Sequence, residues 1–253
     1  MKILFVQWGS IGQKDLEDAF IQEGHTLFCV KLSKDEFCFG DDCGIKKKLQ
    51  EGLGDRKPDI VFSVNYSPNI TEFCKDKGLR YVSWTYDSPY DWFYFVQIFD
   101  PCNLIYVFDK EICLELNQAG ISSAHYLPMA ANVERLDIIT SKLPFMYDVS
   151  FVGSLYLEIE QYSKRSDNLS DYTRGYIDAL VAAQMKISGY NFIPEVLGPV
   201  LKELCKIYPR YPMKGDLRSD EFFCAESIIN PWITGVERID LLDAVAGKYG
   251  LDL

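Results

Sequence analysis

Histidine is scarce in this chain: His25 and His125 are the only two among 253 residues. A zinc site would therefore need clustered cysteines. The eight cysteines do not cluster in that way. The closest pair, Cys38 and Cys43 in CFGDDC, lacks the tight repeated spacing of a zinc site, and Cys29, Cys74, Cys113 and Cys205 fall in apolar or helical contexts. They read as reduced, buried residues of a cytoplasmic protein, and no metal is expected. Short catalytic motifs are missing as well. There is no GxSxG, no GxxxxGK[ST], and no Cys–His pairing at readable spacing, so the usual signals of hydrolases and nucleotide triphosphatases are lacking. A basic patch is also lacking. Lys and Arg number 26 against 37 Asp and Glu, for a net charge of −11. The densest basic run, Lys46-Lys47-Lys48, fits the solvated face of one amphipathic helix, and nucleic acid is not an expected partner. No apolar run approaches the roughly 20 residues of a membrane span. The opening MKILFVQWGS turns into glycine too soon for a signal peptide and reads as a first strand. No internal repeat or low-complexity segment occurs.

What is present is apolar and periodic. With 48% hydrophobic residues, the chain can build one large core or two ordinary ones. KILFVQW is a near-continuous apolar run, the mark of a strand buried on both faces. QKDLEDAFIQEG follows as a helix with Leu16, Phe20 and Ile21 inward and Gly24 as its stop. HTLFCVKL is strand two. GIKKKLQEGLG places Ile45, Leu49 and Leu53 at helical spacing. DIVFSV is strand three, and Ser67-Pro68 opens a helix as N-cap and first residue. RYVSWTY and NLIYVF are strands four and five. Asp109 caps the helix KEICLELNQAG, and AHYLP is a short sixth strand on which His125 reads as a core residue. Strands alternating with helices predict an α/β fold with a Rossmann-like parallel sheet.

The second half changes period. YDVSFVGSLY is one more glycine-terminated strand, and from Ser163 to about Pro209 the pattern is helical. DYTRGYIDALVAAQMKISGY and PEVLGPVLKELCKIYP both fit amphipathic helices. Thr234 and Glu237 have the spacing of a capping box for a last helix, and Leu251-Asp252-Leu253 begins another strand. The fold class is thus a parallel sheet followed by a mainly helical segment.

Open parallel sheets bind ligands beyond the carboxyl ends of their strands. That rule selects Gly9, Ser10 and Gly12 after strand one, Asn65 and Tyr66 after strand three, and Asp87-Ser88-Pro89 after strand four. Gly9 and Gly12 form only GxxG, without the third glycine of a dinucleotide fingerprint, so a nicotinamide or flavin enzyme is disfavoured and no cofactor is expected. Asp87 has two readings. Its carboxylate caps the turn ahead of Pro89, or it serves a cleft as a base or a sugar-binding group. Tyr86, Tyr90 and Trp92 beside it are flat amphipathic walls suited to ring-shaped ligands, and such a cluster equally suits a core.

Several separated segments resemble GT-B glycosyltransferases. YLPMAANVERL resembles the hinge between their two Rossmann-like domains, and YDVSFVGSLY resembles the first strand and glycine loop of the second. VSWTYDSP and LIYVFDKEICLELNQAG resemble strands of the spore-maturation-type group, which has a DSP-like turn at this point. The resemblance implies an acceptor-side domain over residues 1–128, a hinge over 129–148, and the start of a second domain with a helical insertion over 149–253. It implies a sugar acceptor as partner and Asp87 as the catalytic group, the general base if the enzyme inverts and an orienting group if it retains. Gly153 and Ser154 fall in the second glycine loop. The acidic and glycine-rich segments that hold the nucleotide-sugar donor in such enzymes do not occur before Leu253. The expectation is therefore an N-terminal portion, or a free-standing half, that is catalytically incompetent alone, with donor binding confined to a complete protein. The alternative is a non-catalytic, Rossmann-like binding or regulatory module. A receiver-type module would want an acidic pair after strand one and an Asp after strand three, where Trp8-Gly9 and Asn65 stand.

Overall fold

The apolar run at the N-terminus forms β1 (Lys2–Gln7), and both of its faces are buried. Ile3 and Phe5 point to one side of the sheet and Leu4 and Val6 to the other, as the two-residue period of a strand requires. Each such side chain, fully buried, contributes roughly 1.5–3 kcal/mol. The chain was analysed as a computed structural model, which describes residues 1–39, 42–88, 90–139, 147, 149–155, 168–207, 215–249 and 251–252. It divides into two compact units, Met1–Thr140 with Lys214–Leu217, and Ser141–Met213 with Arg218–Leu253.

In the first unit, β1 lies between β2 (Thr26–Lys31) and β3 (Ile60–Val64). Then come β4 (Arg80–Thr85), β5 (Asn103–Val107) and β6 (Ala124–Tyr126). All pairs are parallel and the order is β2-β1-β3-β4-β5-β6. One face is covered by α1 (Gln13–Gln22), whose Leu16 and Phe20 pack on Ile3, Phe5, Phe62 and Val64. The other face packs against α2 (Lys34–Phe39), α3 (Asp42–Leu53), α4 (Pro68–Lys77) and α5 (Lys110–Gln118). As the periodicity predicts, Ile45, Leu49 and Leu53 of α3 are buried. The last helix of this unit is α6 (Val133–Ile139).

Three local expectations need correction here. Ile21 is 59% exposed, because Leu16 and Phe20 already cover the strands beneath α1. Ser67 occupies the N-cap position ahead of Pro68, but its side chain caps nothing; its backbone N–H instead donates to the Tyr81 hydroxyl at 3.0 Å. His125 is exposed on the edge strand β6, its ring 5.8 Å from that of Tyr106.

The described part of the second unit is mainly helical. It contains α7 (Asp171–Gln184), α8 (Ile193–Val196), α9 (Gly198–Ile207), α10 (Asp220–Cys224), a π-helical turn at Ala225–Ile229, and α11 (Asn230–Ala246). Ile177, Ile193, Leu197, Leu204, Cys224 and Ile229 form its buried core. The stretch from Pro194 to Ile207 is not one helix. It breaks at Leu197, since Pro199 has no N–H to continue the ladder, and Val200 and Leu201 both donate to the Leu197 carbonyl instead. Thr234 is not an N-cap either. It sits inside α11, which starts four residues earlier with Pro231 in its first turn, and its hydroxyl donates to the Asn230 carbonyl at 3.0 Å. The last strand is real, and β7 (Val149–Ser150) pairs in parallel with β8 (Leu251–Asp252).

Candidate functional site

The carboxyl ends of β1, β3 and β4 converge on one edge of the first unit. Gly9 and Gly12 have φ of 82° and 76°, a left-handed backbone that glycine adopts without strain. The turn they make is closed on itself. The Gln13 Oε1 accepts the N–H groups of Trp8 at 3.2 Å and Gly9 at 3.0 Å. The Trp8 indole donates to the Val64 carbonyl at 2.7 Å and stacks on Phe37 at 4.9 Å. The Gly9 amide therefore does not present itself to a phosphate. The Ser10 Oγ is buried and bonds none of the described residues.

Asn65 is the one non-glycine residue with positive φ, 62°, among the described residues. Its amide explains why that conformation is held. The Oδ1 accepts the Tyr86 N–H at 2.9 Å and the Nδ2 donates to the Asp87 Oδ2 at 2.7 Å, while its own N–H donates to the Trp84 carbonyl at 2.9 Å. One side chain at the end of β3 thus fixes the backbone where β4 ends. Asp87 is exposed and held by this bond. The Ser88 hydroxyl donates to Asp109 at 2.9 Å. Asp109 in turn caps α5, accepting from the Glu111 and Ile112 N–H groups, as its position in the sequence predicts.

The aromatic residues separate into two groups. Tyr66 and Tyr90 are buried in the core. The Tyr90 hydroxyl donates to the Tyr66 carbonyl at 2.6 Å, and the Tyr66 hydroxyl accepts from Thr71 at 3.0 Å. Burial pushes both phenols well up. Trp92 is partly buried against Phe95, 5.2 Å away. Tyr86 differs. It is half-buried, sits edge-on to Trp84 at 4.8 Å, and lines a cavity of about 590 Å³. Burial, with the Asp15 carboxylate adding to it, pushes its phenol up to about 12, so at neutral pH the hydroxyl stays a donor.

That cavity lies against α1, the end of β4 and the start of α6. Its walls include Gly12, Trp84, Tyr86 and the apolar Met129, with Asp15 and Arg135 as its charged pair. Arg135 holds Asp15 through two nitrogens, each 3.0 Å from a carboxylate oxygen, and Asn132 adds a third bond at 2.9 Å. These donors hold the Asp15 carboxyl below its usual value. Trp84 is fixed by its indole, which donates to the Leu127 carbonyl at 3.1 Å.

Of the residues singled out in the sequence, the cavity gathers Gly12 and Tyr86. Asn65 is bonded to Asp87, and Ser88 to Asp109, at the same edge but outside that lining. Gly153 and Ser154 belong to the second unit, where Arg238 donates to the Ser154 carbonyl. Pro89 lies outside the described residues. The sequence reading missed Trp84, Asp15, Asn132 and Arg135. Trp84 carried a usable signal, since it is two residues before Tyr86 and so shares its face of the strand. Asp15 and Arg135 are 120 residues apart, and nothing local pairs them.

Among the described residues no group of His, Cys, Asp and Glu could hold a metal ion, and no helix is long and apolar enough to cross a membrane. Compared with known proteins, the chain matches no family model, no curated protein and no solved structure. The class that the fold itself defines is a Rossmann-like α/β domain with a six-stranded parallel sheet.

Proposed function

We propose that the first unit is the acceptor-side domain of a GT-B glycosyltransferase of the spore-maturation-type group, which transfers a sugar from a nucleotide-sugar donor. In this reading the cavity between α1, β4 and α6 receives a sugar ring of the acceptor. The observation that supports it is the lining. Trp84 and Tyr86 give aromatic surface, while Asp15, Asn132 and Arg135 give charged and amide groups, the combination that a polyhydroxylated ring with apolar C–H faces calls for. Asp87, next in the chain to Tyr86, is the proposed catalytic carboxylate. Acting as a general base, it would take the proton of an acceptor hydroxyl that extends past the Tyr86 ring. Asn65 would orient it by holding one oxygen.

The reading is tested by saturation-transfer NMR of the protein against a panel of mono- and disaccharides at millimolar concentration. Transfer to the ring protons of at least one saccharide is expected, and it should disappear in Trp84→Ala and Tyr86→Ala with the circular dichroism unchanged. No transfer to any saccharide would sink it. A second reading, a binding module without chemistry, draws on the closed state of the edge, where Gln13 occupies the Gly9 amide and Asn65 occupies one Asp87 oxygen. It shares the sugar-binding result and differs in turnover.

A further inference from the structure

Two thiols of the helical unit face each other. Cys205 belongs to α9 and Cys224 ends α10, and their sulfurs are 3.9 Å apart. A disulfide requires about 2.05 Å, so a rotamer change or a small shift of one helix closes the gap. Their exposure differs. Cys224 is fully buried and Cys205 is partly open. Burial, the neighbouring Cys205, and the carboxylates of Asp220 and Glu221 push the Cys224 thiol up to about 12. It stays protonated and does not react first.

We propose that Cys205 and Cys224 are a redox modification site that a hydroperoxide closes to an intramolecular disulfide. In the first step the Cys205 sulfur attacks the peroxide oxygen. The O–O bond breaks, Cys205 becomes a sulfenic acid, and the thiol proton leaves with the departing oxygen as water or an alcohol. In the second step the Cys224 sulfur attacks the Cys205 sulfur. The S–O bond breaks, and the hydroxyl leaves as water with the Cys224 proton. Two thiols lose two electrons, and the peroxide takes them. The burial of Cys224 suits it to the second role, since it is shielded from the oxidant yet adjacent to the oxidised sulfur. The bond ties α9 to α10 and closes the chain between them. This reading does not depend on glycosyl transfer.

The test treats the whole protein with hydrogen peroxide and maps it under non-reducing conditions. A Cys205–Cys224 cross-linked peptide is expected, with a melting temperature higher by on the order of 5 °C and reversal by dithiothreitol. Cys224→Ala should abolish the cross-link and leave Cys205 labelled by dimedone. Cys205→Ser should abolish both. A map that joins other cysteines, or wild-type Cys205 labelled by dimedone without any cross-link, would overturn the proposal.

Discussion

The Asn65 amide nitrogen donates to the Asp87 carboxylate at 2.7 Å, joining the end of β3 to the residue just past β4. The same side chain accepts the Tyr86 N–H, so two successive residues of the β4 exit hang on one amide. Parallel strands end in loops that leave the sheet, and their last N–H groups lose their ladder partners. Asn65 supplies such a partner to the Tyr86 N–H. It can do so because its own backbone is left-handed, a conformation that Asn tolerates better than most residues.

Replacing Asn65 separates the two effects. Asn65→Gly removes the bonds to Tyr86 and Asp87 but adopts φ of 62° freely. Asn65→Ala removes the same bonds and adds the cost of a left-handed backbone, about 1–2 kcal/mol. In urea denaturation both variants should be less stable than the parent, with the Ala variant below the Gly variant by that margin. Equal midpoints for the two would show that the backbone is not constrained here.

Two helical glycines should respond to alanine with opposite signs. A Cβ at Gly52 in α3 would lie 2.0 Å from Val30 Cγ2, on a buried β-branched side chain that cannot turn away. Gly52→Ala should therefore cost stability, about 1–3 kcal/mol for an overpacked core. Gly175 in α7 has nothing within 4 Å of that position. Gly175→Ala should stabilise by about 0.5–1 kcal/mol, through helix propensity and a less flexible unfolded chain. Thermal melts of the two variants decide the matter, and the same sign for both would contradict the close approach of α3 to β2.

The contrast between local and distant information explains what the sequence reveals. Strands β1 and β3 are legible because they are buried on both faces and so read as near-continuous apolar runs, while the more exposed edge strands β2 and β6 are legible from β-branched and aromatic residues between turn signals. The role of Asp109 is legible because a cap acts within three residues. Thr234 misleads because a capping box says nothing of a helix already running through it. Ser67 and Pro68 are legible as the residues that open α4, while the bond from the Ser67 N–H to the Tyr81 hydroxyl, 14 residues on, is not. The cavity is legible in its Gly12 and Tyr86 and hidden in its Asp15–Arg135 pair, which forms only when α6 comes to lie beside α1.

That pair makes the cavity wall sensitive to acid. The Asp15 carboxyl is held below 3.8 in the folded chain, first by Arg135 and then by Asn132. A lowered folded value means that its contribution is present in full above 3.8 and is lost as the pH falls through the depressed value. The Arg135 side chain is 53% exposed and that of Asp15 27%, so solvent screens the pair and the global melting temperature should move little. The local effect should be clear. As the pH falls through that depressed value, the Leu136 amide, which donates to the Asn132 carbonyl at 3.0 Å, should lose protection relative to its intrinsic exchange rate at each pH. Asp15→Asn should show the lowered protection at acid and neutral pH alike. Protection that does not change with pH in the parent would mean that α6 is held by something other than this pair.

Asp87 tests the catalytic reading directly. Asp87→Asn keeps a carbonyl oxygen that can accept from Asn65, so the latch survives, but an amide cannot take a proton. If Asp87 is the general base, glycosyl transfer by the natural protein should fall roughly 10²–10⁴-fold at an unchanged melting temperature. Tyr66→Phe is the matched control. It deletes a buried hydroxyl that accepts from Thr71, and it should cost about 1 kcal/mol of stability while leaving kcat close to the parent. Carboxylate chemistry and core packing then appear in different measurements, turnover for one and melting for the other. An Asn variant with parental turnover would assign Asp87 to the architecture of the β4 exit, and the module without chemistry would become the better account of the cavity beside it.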